Sequence, residues 1–245
     1  MATRLTIDEG NSSTKVAFWR DDVIEAVATH KNASLDLVRQ VLPEGCLADS
    51  AIVCSVRRRD SHETLEVIRQ FARHTVFLDS DTPGPLKIGY RTPGTLGADR
   101  IAAATGAAVL FPSETILVVD MGTAITYDVV SDSRFIGGNI APGIFVRLEA
   151  LNHFTSALPL VETDGDTPRW GYDTETALRS GAIRGVVGEL QYYRHCLAAE
   201  HPHPRVILTG GSAELITTYI TSKIITEPHL VLIGLNAILK YNETL

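Results

Sequence analysis

Short apolar runs broken by polar turns open the chain. Residues 3–8 and 14–19 read as strands joined by a polar turn, and Val23 to Thr29 completes a meander. Helical spacing then takes over from Leu35 to Leu42, until Pro43-Glu44-Gly45 stops it. Ala51 to Ser55 is a short apolar strand. Ser61 to Arg73 is amphipathic, with Leu65, Ile68 and Phe71 on one side, and Thr75 to Leu78 is another strand. The pattern is a β-meander followed by β/α alternation.

Asp79 to Gly97 is rich in Pro and Gly, and a loop of that length inside a compact domain is usually functional. Asp99 to Phe111 reads as a helix of small residues ended by Pro112. The second half repeats the plan. Strands are predicted at 115–120, 124–130 and 133–138, and a helix follows Pro142, a residue suited to a helix start. A long helix runs from about Glu175 to Ala199. Val206 to Thr209 is a strand and Ala213 to Thr221 a helix. A brief strand and a helix over Leu230 to Tyr241 close the chain. A boundary near residue 114 gives two like halves, 1–114 and 115–245.

Composition narrows the field. The chain has 245 residues, 44% of them hydrophobic and 21% charged, enough for two small domains with a real core. A net charge of −7 argues against nonspecific nucleic-acid binding, and Arg57-Arg58-Arg59 is the only basic run. No segment approaches the length of a membrane span, and no basic, apolar leader precedes Asp8. Cys46, Cys54 and Cys196 lack zinc or redox spacing and read as reduced thiols of a cytoplasmic protein. The eight histidines form no cluster, and none is assigned to chemistry.

The chemistry lies in a repeated phrase. Leu5-Thr6-Ile7-Asp8-Glu9-Gly10-Asn11-Ser12-Ser13-Thr14-Lys15 returns in loosened form as Leu117-Val118-Val119-Asp120-Met121-Gly122-Thr123-Ala124-Ile125-Thr126-Tyr127. Each copy is a buried strand, an Asp-x-Gly turn with small polar residues, and a second strand. Such a corner presents a carboxylate and several N–H groups together, and two of them suit a metal–polyphosphate. Gly10 lets the backbone approach a phosphate, Asp8 suits a hydrated Mg²⁺, and Lys15 is a countercharge for phosphate. The same residue types also make ordinary hairpin turns. In the second copy Thr123 offers a hydroxyl and an N–H, and Asp120 is a candidate cation ligand; Asp128 reads as structural.

Gly97-Ala98-Asp99-Arg100 puts a carboxylate and a guanidinium at the mouth of a helix. Asp99 is suited to accept a proton from a hydroxyl and Arg100 to grip an anion, although Asp99 is equally a favourable first-turn acid. Gly137 to Gly143 leads from strand to helix, either beside a ligand or as a plain connector. Gly210-Gly211-Ser212-Ala213 follows a strand and opens a helix, with N–H groups that would face a nucleotide.

With these motifs in order, the chain resembles the type III pantothenate kinases. That family has the α/β fold of the acetate kinase, sugar kinase and actin superfamily, with duplicated ribonuclease H-like domains. The resemblance covers nearly the whole chain. It rests on Asp8-Glu9-Gly10-Asn11-Ser12, Gly97 to Arg100, Asp120 to Thr126, Gly137 to Gly143, Leu158-Pro159, and Thr174 ahead of Ser180-Gly181. Ser12 stands where Thr is usual, Asp173 where Asn is frequent, and Ser212 where an acidic or amide residue often follows Gly-Gly.

The resemblance implies ATP-dependent phosphorylation of pantothenate, the first step toward coenzyme A. Asp8, Glu9, Gly10, Asn11, Ser12, Ser13, Thr14 and Lys15 would hold the ATP phosphates, with Mg²⁺ at Asp8 through water, and Thr123 would contact ATP. Asp99 would be the proton acceptor. Tyr90, Gly97, Ala98, Asp99, Arg100 and Thr174 would bind pantothenate, and Asp120 would ligate a monovalent cation, potassium or ammonium. Family members are homodimers, so Thr174 would act across the interface. Two other readings keep the fold: a phosphatase that delivers water, and a regulatory protein that binds ligand without turnover.

Overall fold

β1 (Thr3–Glu9) is central in a five-stranded sheet of order β3-β2-β1-β4-β5, where β2 is Thr14–Arg20, β3 Val23–His30, β4 Ala48–Ser55 and β5 Ala72–Phe77. The computed structural model describes residues 1–31, 36–56 and 61–245; Leu35 and the run Arg57-Arg58-Arg59 lie outside them. β1, β2 and β3 pair antiparallel as the predicted meander, and β4 and β5 join parallel to β1. Parallel pairing needs crossovers. Those are α1 (Asp36–Val41) after the meander and α2 (Ser61–Ile68) between β4 and β5.

The chain divides into two compact units. The first comprises Met1–Glu114, Val130–Gly137 and His229–Leu245; the second comprises Thr115–Val129 and Gly138–Pro228.

Both faces of the first sheet are covered, which is why β1 and β4 read as nearly continuous apolar runs. Leu5, Ile7, Val16, Phe18 and Val53 share one core cluster with Leu37, Val38 and Val41 of α1. α7 (Leu230–Asn242) packs on β1 and β4 and lies along α3 (Ala98–Leu110). Those two helices touch backbone to backbone. A Cβ at Gly234 would fall on the Ala102 carbonyl and only 2.8 Å from the Gly106 nitrogen, and one at Gly106 would meet the Leu230 carbonyl.

An ion pair fastens the chain's last turn to this sheet. Arg4 on β1 donates to Glu243 at 2.6 Å, and Ser50 Oγ on β4 donates to the same carboxylate at 2.5 Å. Burial pushes the Glu243 carboxyl up, but the hydrogen bonds from Arg4 and Ser50 outweigh it and hold it below its ordinary value. A depressed carboxylate adds stability above the unfolded-state pKa and loses it as pH falls through the folded value. Glu243→Gln is therefore expected to cost about 1–2 kcal/mol in neutral urea unfolding, after allowance for solvent screening. The gap to wild type should close well below about pH 4, the ordinary carboxylate range. A gap that persists there would assign the effect to packing.

The second sheet repeats the order. β7 (Ile116–Met121) sits between β8 (Ala124–Ser131) and β10 (Arg205–Thr209), with β9 (Arg134–Pro142) beyond β8 and β11 (Ile225–Thr226) beyond β10. β10 is parallel to both β7 and β11. α4 (Ile144–Phe154) and α5 (Thr174–Glu200) cover the sheet through Ile144, Leu148, Ile183, Val186 and Leu190, against Leu117, Val119, Ile125 and Tyr127. α6 (Ala213–Thr217) separates β10 from β11. No helix among the described residues is long and apolar enough to cross a membrane.

Several elements differ from the sequence expectation. The helix expected to Arg73 ends at Ile68, because Ala72 is drawn into register with Ala48, and tertiary pairing overrides local spacing. The helix expected over Ala213 to Thr221 stops at Thr217: the Thr217 and Thr218 hydroxyls bond back to the Glu214 and Leu215 carbonyls, in competition with the helix. β9 runs four residues past Gly138, so most of the expected strand–helix connector is strand. The Pro/Gly loop holds a two-residue strand, β6 (Lys87–Ile88), paired parallel with Arg134 and Phe135, and a short 3₁₀ turn at Pro93–Thr95.

Candidate active site

The first Asp-x-Gly corner closes the end of β1. Gly10 donates to the Ser13 carbonyl at 3.0 Å, and the antiparallel register sets Asp8 directly opposite Lys15. Directly opposed residues share a face of the sheet, so the carboxylate and the ammonium belong to the same side. Asn11 and Ser12 are exposed at the tip, and Ser13 is half-buried. Thr14 Oγ1 is buried with no hydrogen-bond partner among the described residues. Buried hydroxyls are ordinarily paired, so this one suits a ligand or a water.

Asp99 reaches the same region from α3. In the parallel register Asp8 is level with Cys54 on β4, and α3 packs on β4. Burial pushes the Cys54 thiol well up, and the charges of Asp8, Asp99 and Glu9 push it further. Asp8 and Asp99 thus both lie near the buried Cys54, toward the carboxyl ends of β1 and β4. Ligands of open α/β sheets bind at such ends. Asp99 Oδ1 accepts the Arg100 backbone N–H at 2.8 Å, which fixes the carboxylate at the helix mouth.

Arg100 is buried in an aromatic clamp. Its guanidinium carbon lies 5.7 Å from the Tyr90 ring centre and 5.6 Å from that of Phe135, and the two rings meet edge to face at 5.9 Å. The Gly89 N–H donates to the Phe135 carbonyl at 2.9 Å and holds Tyr90 beside β9. Cation–π contact on two sides orients the guanidinium. Tyr90, Asp99 and Arg100 are therefore gathered by one unit.

The second corner is built alike. β7 and β10 run parallel with Asp120 level with Thr209. The Gly122 N–H closes the turn onto the Ala124 carbonyl at 3.0 Å, and Gly122 and Thr123 are exposed. Gly210 has φ +87 and lies so close to the Asp120 carboxylate that a Cβ there would strike it and sit 2.6 Å from the Met121 nitrogen. Only glycine satisfies both the dihedral and the space. Two N–H groups expected to face a nucleotide are otherwise engaged: Ser212 donates to the Met121 carbonyl at 3.1 Å and Ala213 to the Gly210 carbonyl at 3.2 Å. Asp128 is fully buried in β8.

Thr174 is exposed as the first residue of α5. Asp173 caps that helix and accepts the Thr176 N–H at 2.8 Å; this bond, with that from the Thr176 hydroxyl, draws the Asp173 carboxyl below its ordinary value. Sequence reasoning overlooked Phe135, Cys54 and the Gly210–Asp120 contact. Each is created by strand pairing, for which the local spacing carries no signal.

The donor sets fit lightly held cations. Among the described residues no group of three or more His, Cys, Asp and Glu side chains is arranged to hold a metal ion. Mg²⁺ that arrives on nucleotide phosphates needs only one or two carboxylates and keeps its waters. Asp8, at the end of β1 and directly opposite Lys15, suits that role. Asp120, a single carboxylate pressed against Gly210, suits a monovalent cation.

Known proteins share this fold. A solved protein described as a Baf family transcriptional activator from Campylobacter jejuni superposes with a TM-score of 0.64 at 23% identity, over 98% of this chain and 100% of that one. The activator of the 2-hydroxyisocaproyl-CoA dehydratase from Clostridium difficile, with bound ADPNP, superposes at 0.55 and 12% identity, over 99% and 96%. At these identities the likeness establishes the fold alone. Sequence reaches further. A curated type III pantothenate kinase from Porphyromonas gingivalis is 42% identical over 99% of this chain and 100% of its own length. One from Bacteroides fragilis is 41% identical over 98% of each. The family model for type III pantothenate kinase matches residues 4–195, a span that holds both Asp-x-Gly corners, the Arg100 clamp and the start of α5. With its two corners on matching sheets and this match along its length, the chain belongs to the type III pantothenate kinase family.

Proposed function

We infer that the protein transfers the γ-phosphoryl group of ATP to the primary hydroxyl of pantothenate, giving 4′-phosphopantothenate, the first step of coenzyme A biosynthesis. The observation that carries this reading is the family match over residues 4–195, which takes in Asp8 at the end of β1 and Asp99 at the mouth of α3. One carboxylate belongs to a phosphate-binding turn and the other to the substrate loop. Phosphoryl transfer usually runs through a loose transition state, so the chain's task is alignment and charge compensation. Asp99 directs the alcohol oxygen toward phosphorus and takes its proton late. Arg100, held by Tyr90 and Phe135, grips the pantothenate carboxylate, as a buried, oriented guanidinium is suited to do. Gly97, Ala98 and Thr174 complete the pantothenate contacts. Glu9 to Lys15 line the phosphates, and Thr123 contacts the nucleotide. Mg²⁺ at Asp8 and potassium or ammonium at Asp120 would supply positive charge to the phosphates.

By sequence order, 1–114 supplies the phosphate corner and substrate loop as one ribonuclease H-like domain. Residues 115–245 supply the nucleotide and cation corner as the other, although the segment from His229 belongs to the first compact unit. We assign the protein to the cytoplasm, in keeping with its three free thiols. It acts as a homodimer joined through the second domain. Support comes from large apolar side chains left exposed along α4 and the segment after it: Phe145 at 47%, Phe154 at 82% and Trp170 at 84%. Isolated exposed apolar residues are common, but a series of this size suits an interface. Light scattering is expected to give twice the mass of one chain, and Phe154→Asp to give the mass of one. A wild-type monomer would remove the interface and the cross-subunit role of Thr174.

The test is ADP release with and without pantothenate, in potassium and then in sodium. The reading predicts release only with pantothenate, and faster release in potassium. Release without pantothenate would indicate a phosphatase, and no release a binding protein without turnover. A rate indifferent to the cation would remove Asp120 from its role.

A further inference from the structure

The second corner is steadied by a half-buried polar chain that no motif announces. Gly143 donates its N–H to the Thr123 carbonyl at 2.9 Å, so the segment before α4 lies directly on the turn that bears Thr123. Its neighbour Pro142 offers a carbonyl to Arg147 Nε at 2.8 Å. Arg147 lies on the first turns of α4, and its own N–H donates to the Gly143 carbonyl at 3.0 Å. The far end of the guanidinium is fixed on α5, where a terminal nitrogen reaches both Glu189 oxygens, at 2.8 and 2.7 Å. Glu189 in turn accepts the hydroxyl of Tyr127 at 3.1 Å. Tyr127 is fully buried on β8 and packs at a tilt against Tyr193, with ring centres 4.5 Å apart. The chain therefore ties β8, the end of β9, α4 and α5 to one turn.

The geometry is more specific than a general brace requires. A brace between α4 and α5 needs only the Arg147–Glu189 pair. Here the same guanidinium spends its Nε on the carbonyl next to Gly143, and Gly143 touches Thr123. Lysine has one donor centre and cannot span both sites, whereas the planar fork of arginine does.

We propose that Arg147 and Glu189 are positioning residues that hold Pro142–Gly143 against Thr123 and thereby set nucleotide affinity at the second corner. The proposal rests on the reading that Thr123 contacts the nucleotide, and its test separates the two.

Hydrogen exchange of the ligand-free protein is measured first, on peptides that cover the Gly143 amide. Equilibrium binding of the Mg²⁺ complex of a non-hydrolysable ATP analogue is measured by calorimetry. Arg147→Met keeps the apolar stem. It is expected to speed Gly143 exchange and to weaken analogue binding about tenfold, the usual scale for a lost hydrogen bond to a charged group. Arg147→Lys should fall between it and wild type. Glu189→Gln, which keeps an acceptor in place, should retain most of the affinity. Removing Glu189 as well as Arg147 should cost little more than removing Arg147, since both act through one chain. Arg184→Met is the control: Arg184 tethers the Thr167 and Pro168 carbonyls from the same helix by the same kind of bond. It should leave analogue affinity within about twofold.

Wild-type exchange rates and affinities in both Arg147 variants would overturn the proposal. So would losses that Arg184→Met reproduces, since they would mark a general weakening of the unit. If wild type binds no analogue, the nucleotide reading of this corner fails. Gly143 exchange then still judges the tether, and unchanged protection in Arg147→Lys, the variant safest for folding, would overturn it.

Discussion

Asp99→Asn is expected to lower kcat for pantothenate phosphorylation by about 10²–10⁴-fold, the range of general-base assistance. Analogue binding and thermal stability should stay close to wild type. The substitution is informative because Asp99 has a second duty: its Oδ1 accepts the Arg100 N–H at 2.8 Å. Asparagine keeps an oxygen for that bond, so the helix mouth and the Arg100 clamp persist while the charge and the proton-accepting group are lost. A fall in kcat with KM for pantothenate little changed is the expected signature, because an interaction of the transition state has been removed. Normal turnover would show that Asp99 is not the base. Loss of pantothenate binding with kcat intact would make it a binding residue only.

The second large effect concerns stability. Gly234→Val is expected to destabilise the protein by about 3 kcal/mol, at the upper end for an overpacked core position. At Gly234 the new side chain meets the backbone of Ala102 and Gly106, not a flexible side chain that could move aside. Relief requires α7 to leave α3, and α7 also covers β1 and β4. Because β1 and β4 carry Asp8 and Cys54, nucleotide binding should weaken alongside stability. Guanidinium unfolding and analogue binding on the same samples test both parts. Unchanged stability would mean that the helices accommodate the added volume, and the close contact would lose its importance.

The strand pattern of both sheets was legible because buried parallel strands and half-buried meander strands leave strong apolar runs. Leu5 to Ile7 and Leu117 to Val119 needed no tertiary information. The Asp-x-Gly turns were legible because turn chemistry is local. What escaped prediction depends on pairing at a distance. β6 is two residues long and exists because Lys87 and Ile88 find Arg134 and Phe135. The clamp on Arg100 needs Phe135 from a strand far along the chain, and Arg147 needs Glu189 from another helix. The Gly-Gly turn after β10 was rightly located. Spacing did not show that Gly210 gives the Asp120 carboxylate room, or that the Ser212 and Ala213 N–H groups bond within the protein.

The central claim is that the protein joins a nucleotide's terminal phosphoryl group to a primary alcohol. Phosphorus NMR of a reaction with ATP and pantothenate tests it most directly. A new phosphate-ester signal split into a triplet by two methylene protons is predicted, growing as ATP is lost. Growth of free phosphate with pantothenate unchanged, or ATP left intact under the same conditions, would contradict it.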